Sequence, residues 1–523
     1  MPAGAPGADP EAMPRVGRAL PLTLLALALA GAAQTLAFVE PRAWPLPVLG
    51  AAFLFVMLRQ SAPRRAALQG LAYGAGWLLA AVWWLFVSMH FYGGLPAPLA
   101  ALALLALCLA LSLYLAAASA AFAAWRRGRP LQDALLFAAL WLLAELARGV
   151  WFTGFPWAAS GYAWVDAPWA WAAPLVGVYG MGWGVALAGA ALGLAVTARR
   201  RVLQVGGALA VAVALALPAA WPTLEFTRPT GTLRVELLQS NVAQDDKFAV
   251  EKMPQALAWA ASTLAASRAD LVLGPETVIP LLPSQLEQFA PDLWPSLQQR
   301  FAQPGQAALF GVPLGDFEAG YTNSVVGFHA GTVYRYDKVH LVPFGEFIPP
   351  GFRWFTELMR IPLGDFTRGR LGAPPFEFAG ERIAPNICYE DLFGEELAVQ
   401  FADPSRAPTV LANVSNIAWF GNTVALPQHL AISRLRTLEL QRPMLRATNT
   451  GVTAVIDHRG HVQARLPVLT RDVLQGTVQG REGLTPYARA AAAFGLWPWW
   501  GGALVGVALG LAGRRRAAAP TPP

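Results

Sequence analysis

The chain has 523 residues, of which 55% are hydrophobic and only 14% are charged. Soluble domains average about 45–50% apolar and about 25% charged residues, so this composition excludes a disordered, collagen-like or ordinary soluble protein. The charge is unevenly distributed: residues 222–488 are close to −4, whereas the rest of the chain holds only 6 acidic residues and is close to +11. One part of the sequence therefore has the composition of a membrane protein and the other that of a globular domain.

Apolar runs long enough to cross a bilayer as helices recur along the chain. They lie near 19–39, 43–58, 67–90, 97–125, 131–150, 173–197, 202–221 and 490–512. We therefore predict a membrane α-helical bundle of about eight spans that is interrupted by one large domain. The expected boundaries are a cytoplasmic tail at 1–18, seven transmembrane helices in 19–221, an outer domain at 222–488, the eighth transmembrane helix at 489–512 and a second cytoplasmic tail at 513–523.

Arginine clusters occupy alternate gaps between the runs, for example at 64–65, 126–129 and 199–201. The positive-inside rule then places both termini in the cytoplasm and the block 222–488 in the periplasm, with the spans in a bacterial inner membrane. The first run could instead be a cleaved signal peptide, but its removal would spoil this alternation, so we treat it as a span. Because the basic residues form short clusters between apolar runs, we expect no nucleic-acid partner.

The outer domain alternates short β-rich runs with helical stretches, which is typical of an α/β domain with packed sheets. Strands are predicted at 233–239, 271–273, 308–312, 324–328, 332–336, 383–387, 410–414 and 452–457, and helices at 251–267, 284–301 and 424–440. The two cysteines, Cys108 in the fourth run and Cys388 in the outer domain, form no disulfide framework. The histidines are dispersed and no zinc, dinucleotide or phosphate-loop motif occurs, so we expect no metal and no cofactor.

Three segments of the outer domain place reactive side chains where predicted strands end. They are Gly274-Pro275-Glu276-Thr277, Lys338-Val339-His340-Leu341-Val342-Pro343-Phe344-Gly345-Glu346 and Asn386-Ile387-Cys388-Tyr389-Glu390-Asp391. These residue types allow acyl transfer: a cysteine nucleophile, a carboxylate that takes its proton, and a lysine that stabilises the oxyanion together with a backbone N–H. The chain has only three lysines against 36 arginines, so a lysine at such a place suggests that arginine would not serve.

Each of these residues also has a structural interpretation. Cys388 could be a small buried hydrophobe, Glu276 a solvated turn residue and Lys338 a surface residue, while His340 could make this a Cys–His enzyme. The residues by themselves are also compatible with two other functions. One is a membrane-anchored amidase acting on small amides, and the other is a transporter or sensor whose outer domain binds a solute.

Taken together, the three segments resemble the nitrilase superfamily and, within it, the apolipoprotein N-acyltransferase family. The membrane part resembles that family as well, at 152–157 and 485–489. The resemblance implies an αββα sandwich as the outer domain. It also implies an activity, the transfer of an acyl chain from a phospholipid to the amino group of a diacylglyceryl-cysteine on an apolipoprotein. The expected partners are therefore a phospholipid donor and an apolipoprotein acceptor, and we expect a monomer.

The resemblance implies Glu276 as base, Lys338 as electrophilic stabiliser and Cys388 as nucleophile. Glu346 is expected to assist the site, and Tyr389 and Glu390 to shape its pocket. The candidates for substrate or lipid contact are Phe248, Phe344, Phe352, Trp354, Asn413 and Trp419. Phe248 and Ile417 stand where many members carry Trp and Asp. The dense apolar set in 342–365, broken by prolines and a glycine, suggests a mobile arm over the site; the alternative is a hydrophobic cluster under a long loop.

Overall fold

The computed structural model describes residues 16–217, 224–247, 249, 251–316, 318, 320–354 and 366–512. In the described residues, seven helices of more than one turn precede the outer domain: α1 (Val16–Ala33), α2 (Leu46–Arg59), α3 (Pro63–Val82), α4 (Ala97–Trp125), α5 (Pro130–Val150), α6 (Ala173–Val196) and α7 (Arg201–Ala216). Proline occupies one of the first two positions of α2 to α6. There its fixed φ suits the helix and its missing N–H has no partner to lose, so the sequence itself marks where these helices begin.

Five segments of the described chain are long and apolar enough to cross a membrane. They are Leu20–Phe38, Pro41–Leu58, Ala97–Trp125, Pro130–Thr153 and Ala170–Val196. Two bent helix pairs, Pro63–Val82 with Leu85–Tyr92 and Pro486–Phe494 with Trp497–Leu511, would raise the number to seven. Arg201–Ala216 is apolar but shorter. The predicted helical bundle is confirmed, and each of the eight apolar runs coincides with one of these segments.

The outer domain contains two six-stranded sheets. Their strands are β1 (Thr227–Gln239), β2 (Leu271–Leu273), β3 (Ala307–Asp316), β4 (Gly320–His329), β5 (Thr332–Asp337), β6 (Phe376–Phe378), β7 (Glu381–Ile387), β8 (Val410–Ser415), β9 (Met444–Thr448), β10 (Ala454–Ile456), β11 (Val462–Arg465) and β12 (Asp472–Gly483). The first sheet has the order β12-β1-β2-β3-β4-β5 and the second β11-β10-β9-β8-β7-β6. In each sheet three adjacent strands run parallel, β1 to β3 and β7 to β9, and the flanking strands run antiparallel.

The described helices of this domain and those that follow it are α8 (Met253–Ala266), α9 (Pro283–Phe289), α10 (Leu293–Arg300), α11 (Gly394–Ala398), α12 (Ala425–Leu440), α13 (Pro486–Phe494) and α14 (Trp497–Leu511). Apolar side chains from the inner faces of both sheets form one core. Helices α8 to α10 pack on the outer face of the first sheet. Helix α12 packs on the second sheet, and its apolar side chains join a continuous core with the membrane bundle. The predicted αββα sandwich is confirmed, and its second helical layer is the one that meets the bundle.

A break in α6 shows how the two parts are joined. Gly177 has φ +63°, and a Cβ there would lie 2.3 Å from the ring of Tyr487, so only glycine fits. The backbone N–H of Val178, just after the break, donates to Oε1 of Glu439 at 2.6 Å. Glu439 also lies 2.9 Å from Arg436, and both side chains are fully buried. A charged pair of the outer domain therefore satisfies the interrupted membrane helix.

The structure differs from the predicted elements in one helix and in four strands. The predicted helix 284–301 is two helices, α9 and α10, separated around Pro291. Strands β6, β9, β11 and β12 were not predicted. In β12, Gly476 and Gly480 lower the β-propensity of the sequence. The structure needs both glycines: a Cβ at Gly480 would overlap the carboxylate of Glu381, and one at Gly476 would press on Val455.

Candidate active site

Cys388 lies where β7 ends and opens a short turn, Cys388–Leu392. Its φ is +53°, a left-handed conformation that costs a non-glycine residue about 1–3 kcal/mol. Glu390 holds the turn, because its Oε2 accepts the N–H of Ile387 and its Oε1 accepts the N–H of Val339, both at 2.6 Å. The sequence thus builds a sharp strand-to-helix turn that places the thiol of Cys388 at the edge of the second sheet.

Glu276 follows β2, at the corresponding edge of the first sheet. Its Oε1 accepts a hydrogen bond from the side-chain amide of Asn323 at 2.7 Å and lies 3.5 Å from the Nζ of Lys338. Its Oε2 accepts the backbone N–H of Asn416 at 2.7 Å. Fixed donors from both sheets therefore set the direction of this carboxylate.

Lys338 follows β5 and is buried. Its Nζ donates to the carboxylate of Glu346 at 2.9 Å, and its backbone N–H donates to the carbonyl of Asn323 at 2.8 Å. Burial by itself lowers the pKa of Lys338, but Glu346 and Glu276 outweigh it and hold this pKa above its ordinary value. The ammonium group therefore stays charged at neutral pH.

The thiol behaves differently. Burial raises the pKa of Cys388 well above its ordinary value; Glu276 raises it further, while Lys338 lowers it. In the free protein the thiol is therefore neutral at pH 7, and a base must take its proton before it can attack. Of the carboxylates that raise the pKa of Cys388, Glu276 has the largest effect.

A second layer of polar side chains, called here the rear wall, lies behind Cys388. It consists of Asp391, Asn413, His429, Ser433 and Arg446, all fully buried. Arginine can only donate, so the 2.7 Å contact from Arg446 to Nδ1 of His429 makes Nδ1 an acceptor. Nε2 of His429 then carries the proton and donates to Asp391 at 3.0 Å and to the carbonyl of Cys388 at 3.2 Å. The rear wall thereby fixes the backbone of the strained turn.

The structure places the supporting candidates in different environments. Glu346 lies in the site, bonded to Lys338. Glu390 supports the turn from behind and also accepts the hydroxyl of Tyr336 at 2.9 Å. Tyr389 directs its hydroxyl to the carbonyl of Gly154, in the outer loop of the bundle, at 3.2 Å. Tyr389 therefore ties the residue after the nucleophile to the membrane part.

The residues expected to contact substrate or lipid also lie in different environments. Asn413 bonds to Asn386 at 2.7 Å and to the carbonyl of Cys388 at 3.3 Å, which places it behind the nucleophile rather than on a lipid-facing surface. The ring of Trp419 packs edge-on against Tyr92 of the bundle at 5.9 Å. Phe248 lies outside the described residues.

The described part of the proposed arm, residues 342–354, presents aromatic side chains. Phe344 and Phe352 pack edge to face with ring centroids 5.5 Å apart. Phe352 is 45% exposed and Trp354 is 60% exposed. Residues 355–365 of the arm lie outside the described residues. The described segment therefore offers large apolar surface beside a buried site.

His340 does not act on the thiol. Its ring stacks on Phe393 at 3.5 Å, and its nitrogens contact Glu396 at 3.0 Å and the carbonyl of Thr153 at 3.1 Å. His429 meets Cys388 through the carbonyl oxygen only. Within the described residues, the geometry therefore gives the Cys–His interpretation no imidazole bonded to the sulfur. No cluster of metal-binding side chains occurs in that part of the chain either.

Several residues of the site were not singled out from the sequence. They are Lys247, Asn323, Asn416, His429 and Arg446. A usable signal existed for Lys247 alone, since the scarcity of lysine that drew attention to Lys338 applies to it as well. Lys247 is buried, and its Nζ donates to the carbonyl of Glu276 at 3.3 Å.

Two family models match the chain. Residues 30–191 match the apolipoprotein N-acyltransferase N-terminal domain, and residues 235–487 match the carbon-nitrogen hydrolase family. A protein of Verminephrobacter eiseniae named apolipoprotein N-acyltransferase is 48% identical over 93% of this chain and 95% of its own length. The chain belongs to the apolipoprotein N-acyltransferase family. A relative of the same name from Ralstonia nicotianae is 47% identical over 94% of each chain.

The family membership makes the chain an acyltransferase related to carbon-nitrogen hydrolases. Among solved structures, a carbon-nitrogen hydrolase from Helicobacter pylori is similar to it, with 16% identity, a TM-score of 0.34 and coverage of 51% of this chain and 94% of that one. The predicted family resemblance is confirmed for both parts of the molecule.

Proposed function

We propose that the protein transfers an acyl chain from a phospholipid to the α-amine of S-diacylglyceryl-cysteine at the N-terminus of apolipoproteins, through a thioester on Cys388. The observation that carries this proposal is the convergence of Cys388, Glu276 and Lys338 from two sheets on one corner of a domain that shares its core with a membrane bundle. Both substrates are anchored in the bilayer by two chains, so the catalytic site has to lie close to the lipid.

In the first half-reaction, Glu276 takes the thiol proton and the sulfur attacks the ester carbonyl carbon of the phospholipid. Lys338 and the backbone N–H of Tyr389 stabilise the negative oxygen of the tetrahedral intermediate. The ester C–O bond then breaks, Glu276 returns the proton to the leaving alkoxide, and a lysophospholipid departs. Cys388 is left as a thioester.

In the second half-reaction, the α-amine of the acceptor attacks the thioester carbonyl while Glu276 takes a proton from the nitrogen. The C–S bond breaks, the amide is released, and Glu276 returns the proton to the thiolate of Cys388. Glu276 thus acts as base and then as acid in each half-reaction, which agrees with its fixed hydrogen bonds and its position beside Lys338.

The arm in 342–365 is proposed to contact lipid and admit the acyl chain. The bundle is proposed to span a bacterial inner membrane, with both termini in the cytoplasm and residues 222–488 as the periplasmic domain of a monomeric enzyme. The alternating arginine clusters support this orientation.

The test compares the wild-type protein with Cys388→Ala in detergent micelles that contain phospholipid and a diacylglyceryl peptide. We expect transfer to the peptide by the wild type and none by the variant. Hydrolysis of small amides without any transfer would instead indicate an amidase. Equal transfer by both proteins would contradict the proposal, and solute binding that survives in the variant without transfer in either protein would indicate a transporter or sensor.

A further inference from the structure

Lys247 is a second buried lysine at the site, where it lies against the proposed base, Glu276. It follows a short turn, Gln244–Asp246, and its Nζ donates to the backbone carbonyl of Glu276 at 3.3 Å. Its side chain is buried, whereas Lys252, five positions later, is an exposed residue paired with Asp246 at 2.6 Å. Two of the three lysines of this arginine-rich chain are therefore buried at one site.

The charged groups that act on the Cys388 thiol come from several elements. Among the described residues they include the carboxylates Glu276, Glu346 and Asp391 and the cations Lys247, Lys338 and Arg446. Glu390 lies nearby, with its oxygens bonded to Tyr336 and to backbone N–H groups of the turn. His429 is held as the neutral tautomer by Arg446.

The three cations are not equivalent. Lys338 is bonded to Glu346 and lies 3.5 Å from Glu276, and Arg446 lies 3.5 Å from Asp391. Their charges are opposed at close range by carboxylates. Lys247 bonds a carbonyl oxygen instead and forms no ion pair with a carboxylate among the described residues, although the charge of Glu276 acts on it at longer range. Its charge therefore adds to that of Lys338 in favouring the thiolate of Cys388.

We propose that Lys247 is a positioning residue that supplies the compensating positive charge for the Cys388 thiolate, and that a cation is needed there in addition to Lys338. This inference rests on the proposed function only in taking Cys388 as the nucleophile. The proton of the thiol passes to Glu276, no bond to Lys247 forms or breaks, and Lys247 acts through the field it exerts on the sulfur.

The inference predicts a pH signature that a merely structural residue would not produce. Burial lowers the pKa of Lys247 to about 8, against the raising effect of Glu276 and Cys388. Below that pH the ammonium favours the thiolate, and a shift of about one unit in the thiol pKa changes the thiolate fraction about tenfold. As the pH rises through the pKa of Lys247, the ammonium is lost and its advantage disappears.

The experiment measures the rate at which iodoacetamide alkylates Cys388 in the full-length protein in detergent, from pH 6 to 10. The modified peptide is quantified by mass spectrometry, which separates Cys388 from Cys108. The variants are Lys247→Met, which removes the charge, Lys247→Gln, which removes it but keeps an N–H donor, and Lys247→Arg, which keeps it. Lys252→Met is the matched control on the protein surface.

At pH 6.5 we expect alkylation to be about tenfold slower in Lys247→Met and Lys247→Gln than in the wild type, and unchanged in Lys252→Met. The ratio of wild-type to Lys247→Met rates should fall toward one above pH 9. In Lys247→Arg the alkylation rate should stay close to the wild-type rate at pH 6.5, and should exceed the Lys247→Met rate above pH 9 because arginine keeps its charge. If the Lys247→Met protein does not fold, the Lys247→Gln protein supplies the same comparison.

If Lys247→Met and Lys247→Gln show the wild-type pH profile of alkylation, the inference is wrong, even if acyl transfer is lost. Lys247 would then contribute to folding or to substrate binding and not to the charge balance of the thiolate. A uniform loss of rate at every pH would also overturn the inference. Alkylation needs no lipid, so these results stand apart from the test of the proposed function, which depends on transfer to the acceptor peptide.

Discussion

The rear wall and the arm lie near the same nucleophile and differ in almost every physical property. The rear wall is fully buried, charged and saturated with hydrogen bonds, for example from His429 to the carbonyl of Cys388. The arm exposes large apolar rings such as Phe352 and Trp354. Under the proposed function, the buried polar side chains hold the reacting groups in place, and the exposed apolar rings of the arm are the surface that would meet the acyl chain.

The largest loss of acyl transfer should come from replacing the proposed base, Glu276. Glu276→Gln keeps the shape of the side chain but removes the base, so acyl transfer should fall by about a thousandfold. The thermal unfolding midpoint should change little, because the amide can still accept one of the two hydrogen bonds from Asn323 and Asn416. Turnover is measured with lipid donor and peptide acceptor. Retention of more than a tenth of the activity would remove Glu276 from its proposed role.

The rear wall should control stability more than chemistry. Arg446→Met leaves Asp391 buried without its cation, and breaking such a pair typically costs about 3–5 kcal/mol of unfolding free energy. The exposed pair Arg228–Glu482, at 2.7 Å, is the control, since Arg228→Met should cost less than about 1 kcal/mol. Thermal unfolding in detergent measures both. Equal losses of unfolding free energy in the two variants would show that the buried pair of the rear wall stabilises the fold no more than the exposed pair does.

The arm should matter only for lipid. Phe352→Ser combined with Trp354→Ser removes exposed aromatic surface, and acyl transfer from phospholipid should fall about tenfold, which corresponds to about 1.4 kcal/mol of lost contact. Alkylation of Cys388 by iodoacetamide should stay within about twofold of the wild type. If lipid turnover is unchanged, the arm has no part in substrate contact.

Glu276, Lys338 and Cys388 could be singled out from the sequence because each follows a predicted strand and because their three segments together resemble those of a known family. The sequence could not predict their hydrogen-bond partners. Asn323 is an ordinary polar residue inside β4, and Asn416 reaches Glu276 only because the two sheets face each other. Such contacts depend on sheet order and packing rather than on local pattern.

The same limit applies to the rear wall. His429 belongs to a helix that the sequence predicted at 424–440, but its bond to Cys388 exists only because α12 packs across the second sheet. The helices of the bundle were easier to predict, because a long apolar segment in lipid can form all its backbone hydrogen bonds only as a helix. The strand β12 was missed because its glycines serve the neighbouring sheet rather than its own propensity.

The central claim is that Cys388 carries the acyl chain. Intact-protein mass spectrometry after incubation with phospholipid tests it most directly. The account predicts one acyl adduct on Cys388 of the wild-type protein, sensitive to hydroxylamine and discharged when a diacylglyceryl peptide is added. A protein that transfers acyl chains at the wild-type rate while showing no such adduct, or with Cys388 replaced by alanine, would contradict it.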